Sequence, residues 1–253
     1  MKIYYSQNKQ IATILIIFTI SIFLNFGCST VKTNSAIIPT DKKQRSWWKE
    51  RHEAIINNVN VKPQLILIGN SILNQLDKKD RKAVRAKHLE KYNTINMGFS
   101  GDRTENVIWR LKNGELENIN PKVALLLIGT NNTDGHHFPT INYPNELEEA
   151  IWKICEIIRE KLPNTEILLM GILPFGRNIP NYRNTINKET NKLISEFPNR
   201  DKHIHYIDIS DAFLDSNGKI IKKIMPDYLH PNAEGHMIMF DRLENEIAEL
   251  MKK

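Results

Sequence analysis

Five short aliphatic runs alternating with helix-like periods predict an α/β fold, a parallel sheet held between two layers of helix. The runs are "QLILIG", "YNTINMG", "KVALLLIG", "TEILLMGIL" and "HIHYIDI". The first, third and fourth are nearly unbroken in aliphatic residues, the pattern of strands covered on both faces. The stretches between them carry apolar residues three and four apart, and alternation of this kind implies a parallel sheet. A third observation concerns function. In open sheets of this class ligands bind beyond the carboxyl ends of the strands, and there this chain places its polar clusters.

Taken in order, the first run ends at Gly69, Asn70 and Ser71, and a helical pattern continues over Ser71–His88. The second opens into "GFSGDRT", Gly98 to Thr104, with a helix expected over Arg103–Lys112. The third leads to "GTNNTDGHH", Gly129 to His137, and then to the clearest helix, Asn145–Leu162. Here Leu147, Ile151, Ile154, Cys155, Ile158 and Leu162 share one face. The fourth gives "PFGRN", Pro174 to Asn178, and a helix over Arg183–Glu196. A last helix, Ala233–Lys252, follows "PDYLHPNAEGH", Pro226 to His236. No repeat or change of composition divides the chain after Lys43, so residues 43–253 read as a single domain.

Composition narrows the classes. The chain has 253 residues, of which 41% are hydrophobic, enough for one good-sized core. The formal charge of +6 falls to +4 once Lys2 and Lys9 leave with a leader. No arginine-rich stripe alternates with aromatics, which argues against nucleic-acid binding. The leader reads as "MKIYYSQNK" followed by the apolar "IATILIIFTISIFLNF", too short for a comfortable membrane span, then Gly27 and Cys28. This resembles a bacterial lipoprotein signal, with residues 1–27 removed and Cys28 lipidated. Leu24 stands one position further from Cys28 than is usual, with Asn25 in its place. Residues 28–42 read as a tether, and the expected location is the cell envelope, membrane-anchored. The other cysteine, Cys155, lies on the apolar face of its helix and reads as a buried small hydrophobe.

The polar clusters contain the parts of a nucleophilic site. A serine hydroxyl needs a base, a group that orients the base, and donors for the developing oxyanion. Ser71 stands where a strand feeds a helix N-terminus, whose free N–H groups and positive end face the reaction centre. His230 is the natural base, and Asp227, three residues earlier, can hold its second nitrogen. Gly101 offers a backbone N–H and Asn131 a carboxamide NH₂. Each has a structural alternative: a helix cap for Ser71, a tight turn for Gly101, a loop bond for Asn131. Asp227 and His230 read equally as surface loop residues. Adjacent His136 and His137 lack a third metal ligand nearby, and His203 and His205 have no carboxylate obviously placed beside them. No metal or cofactor is expected.

Four stretches, "LILIGNSI", "NMGFSGDRTENVIWRLKNGELENINPKVALLLIGTNN", "GILPFG" and "DYLHPNAEGH", resemble the GDSL/SGNH family of serine esterases. Within it they are most similar to the platelet-activating-factor acetylhydrolase catalytic-subunit group, as is "RSWWKERHEAI". Together they span nearly all of Pro63 to Gly235, in family order. The resemblance implies a flavodoxin-like three-layer α/β/α sandwich with a five-stranded parallel sheet, the SGNH hydrolase fold. It makes Ser71 the nucleophile, His230 the base and Asp227 its orienting acid. Oxyanion donors are the Ser71 N–H, the Gly101 N–H and the Asn131 side chain. One position departs from the family pattern: Asn70 stands where Asp is usual.

The expected activity is therefore hydrolysis of a small acyl ester, acetyl in first place, on a carbohydrate such as an O-acetylated glycan. Passing the acyl group to a sugar hydroxyl, as an acyltransferase, uses the same site. A silent glycan-binding lipoprotein is the rival from another class, and the intact Ser71, Asp227 and His230 set argues against it. A flavin protein fits least, since the first turn lacks the Ser and Thr donors a flavin phosphate wants. The resemblance also raises a homodimer.

Overall fold

A computed structural model describes residues 33–57 and 62–253 of the chain. Residues 1–27, which read as a signal, and Cys28 lie outside the described residues. Asn34–Lys253 forms one compact unit.

The five expected strands all form: β1 (Leu65–Gly69), β2 (Ile95–Gly98), β3 (Val123–Leu127), β4 (Glu166–Met170) and β5 (Ile204–Ile207). They make one sheet in the order β2-β1-β3-β4-β5, with every pair parallel. Side chains alternate between the faces of a strand, and this divides the aliphatic runs into two cores. Leu65, Leu67, Leu125, Leu127, Leu168 and Met170 face one layer. Ile66, Ile68, Ala124, Leu126, Ile167 and Leu169 face the other. Central β1, β3 and β4 are buried throughout, as their unbroken runs require.

The helices are α1 (Ser46–Ile56), α2 (Ser71–Asn74), α3 (Lys82–His88), α4 (Thr104–Arg110), α5 (Pro144–Lys161), α6 (Tyr182–Ile194) and α7 (Ala233–Leu250). Val84 of α3 and Phe240, Leu243 and Ile247 of α7 pack on the first face. Val107 and Ile108 of α4, Ile151, Ile154, Cys155 and Ile158 of α5 and Ile194 of α6 pack on the second. Cys155 is fully buried, and burial pushes its thiol pKa well up, so it behaves as a core residue.

Two expectations change. The single helix over Ser71–His88 is broken into α2, two short 3₁₀ turns at Gln75–Asp77 and Lys79–Arg81, and α3. The apolar period lapses between Leu76 and Val84, where the charged run Asp77–Asp80 has nothing to bury. The segment read as tether also docks in part. The Ala36 carbonyl accepts from Thr104 Oγ1 at 2.9 Å, the Thr40 carbonyl accepts from Asn106 Nδ2 at 2.8 Å, and Ala36 is buried. Asn34–Lys42 is thus part of the folded unit, held by hydrogen bonds that leave no periodic trace. Helix α1 adds Trp48, fully buried against Phe99 and Trp109.

Candidate active site

Adjacent strands β2, β1 and β3 deliver Gly101, Ser71 and Asn131 to one edge of the sheet. The chain leaves β1 toward β2 on one side and returns at β3 on the other, so Ser71 stands at a topological switch point. Gly69 lets these strands close up, because a Cβ there would meet the Leu127 carbonyl oxygen at 2.2 Å. Asn70 then caps α2, its Oδ1 accepting from the Ile72 N–H at 3.0 Å. The Asn70 Nδ2 is buried without a hydrogen-bond partner. Ser71 opens the helix and is buried, 8% exposed.

Ser71 Oγ lies 2.9 Å from His230 Nε2, and His230 Nδ1 lies 2.7 Å from Asp227 Oδ2. Asp227 Oδ1 accepts the backbone N–H of His230 at 2.7 Å and of Leu229 at 3.1 Å. Tyr228 makes this tight turn with φ +60°, an uncommon conformation for a bulky residue. Its carbonyl accepts from the Gly176 N–H at 2.8 Å, which ties the loop after β4 to the histidine loop. Partial burial raises the Asp227 carboxyl pKa. The hydrogen bonds from the His230 backbone and ring and the Leu229 N–H outweigh it, so the group stays ionised below the ordinary carboxylate value.

Gly101 has φ +75°, which a residue with a side chain rarely adopts. Its carbonyl accepts from Lys42 Nζ at 2.6 Å. Asn131 sits in the 3₁₀ turn Thr130–Thr133 and is 7% exposed. One N–H of its Nδ2 goes to the Asp102 carbonyl at 2.9 Å, leaving the second for another acceptor. That turn is held by two buried arginines. Arg183 Nη2 donates to the Thr130 carbonyl at 3.0 Å, and Arg103 Nη1 donates to the Asn131 carbonyl at 3.5 Å.

The structure brings Ser71, Asp227 and His230 into one hydrogen-bonded chain, with Gly101 and Asn131 on loops joined through Asp102. His136 and His137 belong to the same loop as Asn131, and His137 Nδ1 pairs with Asp134 Oδ2 at 2.8 Å. His203 and His205 do have a carboxylate: Glu166 of neighbouring β4 reaches them at 2.8 Å and 2.6 Å. Sequence reasoning passed over His236, whose Nε2 meets the Ile72 carbonyl at 2.8 Å, and the ion pair of Asp102 with Arg110. In "GDRTENVIWR" the two charges stand eight residues apart among other polar and charged residues, a spacing that gives no local signal of the pair. Among the described residues one His and carboxylate group is compact enough for a metal, His88 with Asp241 and Glu244, but Lys87 and Lys91 already hold those carboxylates.

The profile of the GDSL-like lipase/acylhydrolase family matches residues 67–238, about two thirds of the chain. The chain belongs to that family. Its activity is accordingly that of an ester-bond hydrolase. This GDSL-family chain is 27% identical over 205 residues to human platelet-activating factor acetylhydrolase IB subunit alpha1, covering 81% of this chain and 84% of the relative. The alpha2 subunit of Rattus norvegicus is 28% identical over 207 residues, covering 82% and 86%. Among solved structures, a GDSL-like lipase from Bacteroides thetaiotaomicron superposes with a TM-score of 0.59 at 17% identity, covering 81% of this chain and 97% of that one. A catalytic mutant of an acetylxylan esterase from Geobacillus stearothermophilus gives 0.60 at 16% identity, covering 73% and 94%. At these identities the superpositions show the GDSL fold.

Proposed function

We propose that this GDSL-family protein is a serine esterase of the cell envelope that removes a small acyl group, acetyl foremost, from a carbohydrate. The observation that carries the reading is the continuous chain Ser71–His230–Asp227, with both links at hydrogen-bond length. Asp227 holds Nδ1–H of His230, leaving Nε2 to accept the Ser71 proton. Ser71 Oγ attacks the ester carbonyl carbon, and its proton passes to His230. The Ser71 N–H, Gly101 N–H and free N–H of Asn131 receive the oxyanion. As the carbon–oxygen bond to the alcohol breaks, His230 returns the proton to the leaving oxygen. Water then repeats the cycle on the acyl-enzyme.

The acetyl group is supported by the names of the relatives, an acetylhydrolase in one case and an acetylxylan esterase in the other. A carbohydrate alcohol is supported by the name of one solved neighbour, an acetylxylan esterase. Location rests on the leader and Cys28; no helix among the described residues is long and apolar enough to cross a membrane. Cys28→Ser should release the protein from the membrane fraction, and a chain still held there would assign the anchor to residues 1–27.

The test is a p-nitrophenyl ester series of rising chain length, followed by acetylated glycans with acetate release measured. Turnover greatest on acetyl, with acetate freed from glycan, supports the reading. Acetyl transfer to a sugar acceptor without free acetate would make the protein an acyltransferase. Hydrolysis confined to long acyl chains would overturn the acetyl assignment.

A further inference from the structure

The two peptide groups that follow Gly101 are each held through their carbonyl oxygen, and one of the two holds comes from the segment that reads as a tether. The Gly101 carbonyl takes Lys42 Nζ at 2.6 Å, while the Asp102 carbonyl takes Asn131 Nδ2 at 2.9 Å. Glycine at φ +75° has no side chain with which to anchor its own turn. A Cβ built on it would find only Lys42 Nζ within reach, at 4.0 Å. Lys42 and Asn131, the second itself a proposed oxyanion donor, therefore hold the successive carbonyls that follow the Gly101 N–H.

Charge points the same way. The Asp102 carboxylate is completely buried and accepts from Trp48 Nε1 at 2.9 Å and Arg110 Nε at 2.8 Å. Arg110, also fully buried, bonds Glu115 as well, so one guanidinium faces two carboxylates. His52 hydrogen-bonds Glu115 at 2.8 Å. Lys42 Nζ, 3.3 Å from Asp102 Oδ1 and with its side chain 13% exposed, supplies a second cation; burial lowers its pKa and the Asp102 carboxylate opposes that. Without it an excess negative charge would sit one residue from Gly101, where an oxyanion has to develop. Lys42 is delivered there by the docked Asn34–Lys42 segment, through the Ala36 and Thr40 contacts on α4.

We propose that Lys42 is a positioning residue of the oxyanion hole, acting through the Gly101 peptide and the Asp102 carboxylate. The segment before the domain thereby completes the active site. This rests on the esterase reading above. It predicts an effect on the transition state and little on substrate binding, because the oxyanion forms only as the ester carbonyl is attacked.

The experiment compares the full chain with Lys42→Met, which keeps the apolar stem and loses the ammonium, and Lys42→Arg, which restores a charged donor. On p-nitrophenyl acetate, Lys42→Met should lose about tenfold or more in kcat, with KM within about twofold, in a chain that still folds but melts at a lower temperature. Lys42→Arg should recover part of the loss. A kcat within twofold of wild type in Lys42→Met would overturn the inference, as would failure of that chain to fold, which would make Lys42 a scaffold residue. The backbone amide resonance of Gly101, read with ¹⁵N-glycine labelling, separates this from the wider reading. If the wild type cleaves no ester, the esterase assignment falls by itself. The Lys42 inference then survives only if Lys42→Met shifts the Gly101 amide, and it fails if that amide does not move.

Discussion

His236 Nε2 lies 2.8 Å from the carbonyl oxygen of Ile72, the residue that follows Ser71. The first turn of α7 is thus fastened to the first turn of α2 by a fully buried imidazole. Arg81 Nε approaches the other ring nitrogen at 3.4 Å, so a neutral ring that donates through Nε2 and accepts through Nδ1 fits the site. Burial pushes the His236 pKa down to about 4, and the charge of Arg81 adds to it against the pull of the Ile72 carbonyl.

This predicts an acid-sensitive fold. The unfolded chain takes up a proton near the ordinary histidine value of ~6.5, while the folded chain resists until about 4. The stabilising contribution is therefore complete above pH ~6.5 and is lost as pH falls toward 4, by up to about 3 kcal/mol. Urea unfolding at pH 7, 6 and 5 should show wild-type stability falling more steeply than that of His236→Gln. Parallel slopes for the two chains would mean that His236 titrates normally in the fold.

Asn131→Ala should lower kcat about 100-fold or more and change KM little, since loss of one oxyanion donor is worth about 3 kcal/mol. Steady-state kinetics on p-nitrophenyl acetate measure both. An unchanged kcat with a raised KM would assign Asn131 to holding the substrate.

Asn70 places Oδ1 on the Ile72 N–H and leaves Nδ2 buried and unpaired. Asn70→Asp keeps the cap bond and removes the orphan donor, but adds a charge at a site only 1% exposed. The helix N-terminus favours that charge by about 0.3–1 kcal/mol, and the developing oxyanion opposes it. The expected result is a kcat/KM within about tenfold of wild type. Asn70→Ala should do worse, because the Ile72 N–H loses its acceptor, at a cost of about 1 kcal/mol to the turn. An inactive Asp variant beside an active Ala variant would mean that the added charge, and not the loss of the cap, is what the site cannot accept.

Much of this architecture is legible in the sequence because strands covered on both faces and amphipathic helices leave periodic marks. "VALLL" and the α5 face spanning Leu147 to Ile158 are the clearest cases. The strand-end rule points to Ser71, Gly101 and Asn131, and Asp227 and His230 are read from the loop before the last helix. What stayed hidden has no period. The Asn34–Lys42 segment is docked by scattered hydrogen bonds, and its composition is that of a linker. Asp102 and Arg110 read as solvated charges until their pairing inside the core is seen. Glu166 meets His203 and His205 only because β4 and β5 are neighbours, a relationship no local spacing encodes.

The central claim is that the Ser71 hydroxyl, 2.9 Å from His230, is the attacking group. Ser71→Ala tests it most directly, measured as turnover of p-nitrophenyl acetate by the full chain, with a melting curve to show that the fold is intact. The expected result is a loss of roughly 10⁴–10⁶-fold in kcat at an unchanged melting temperature. A folded Ser71→Ala chain that retained a tenth of wild-type turnover would contradict it.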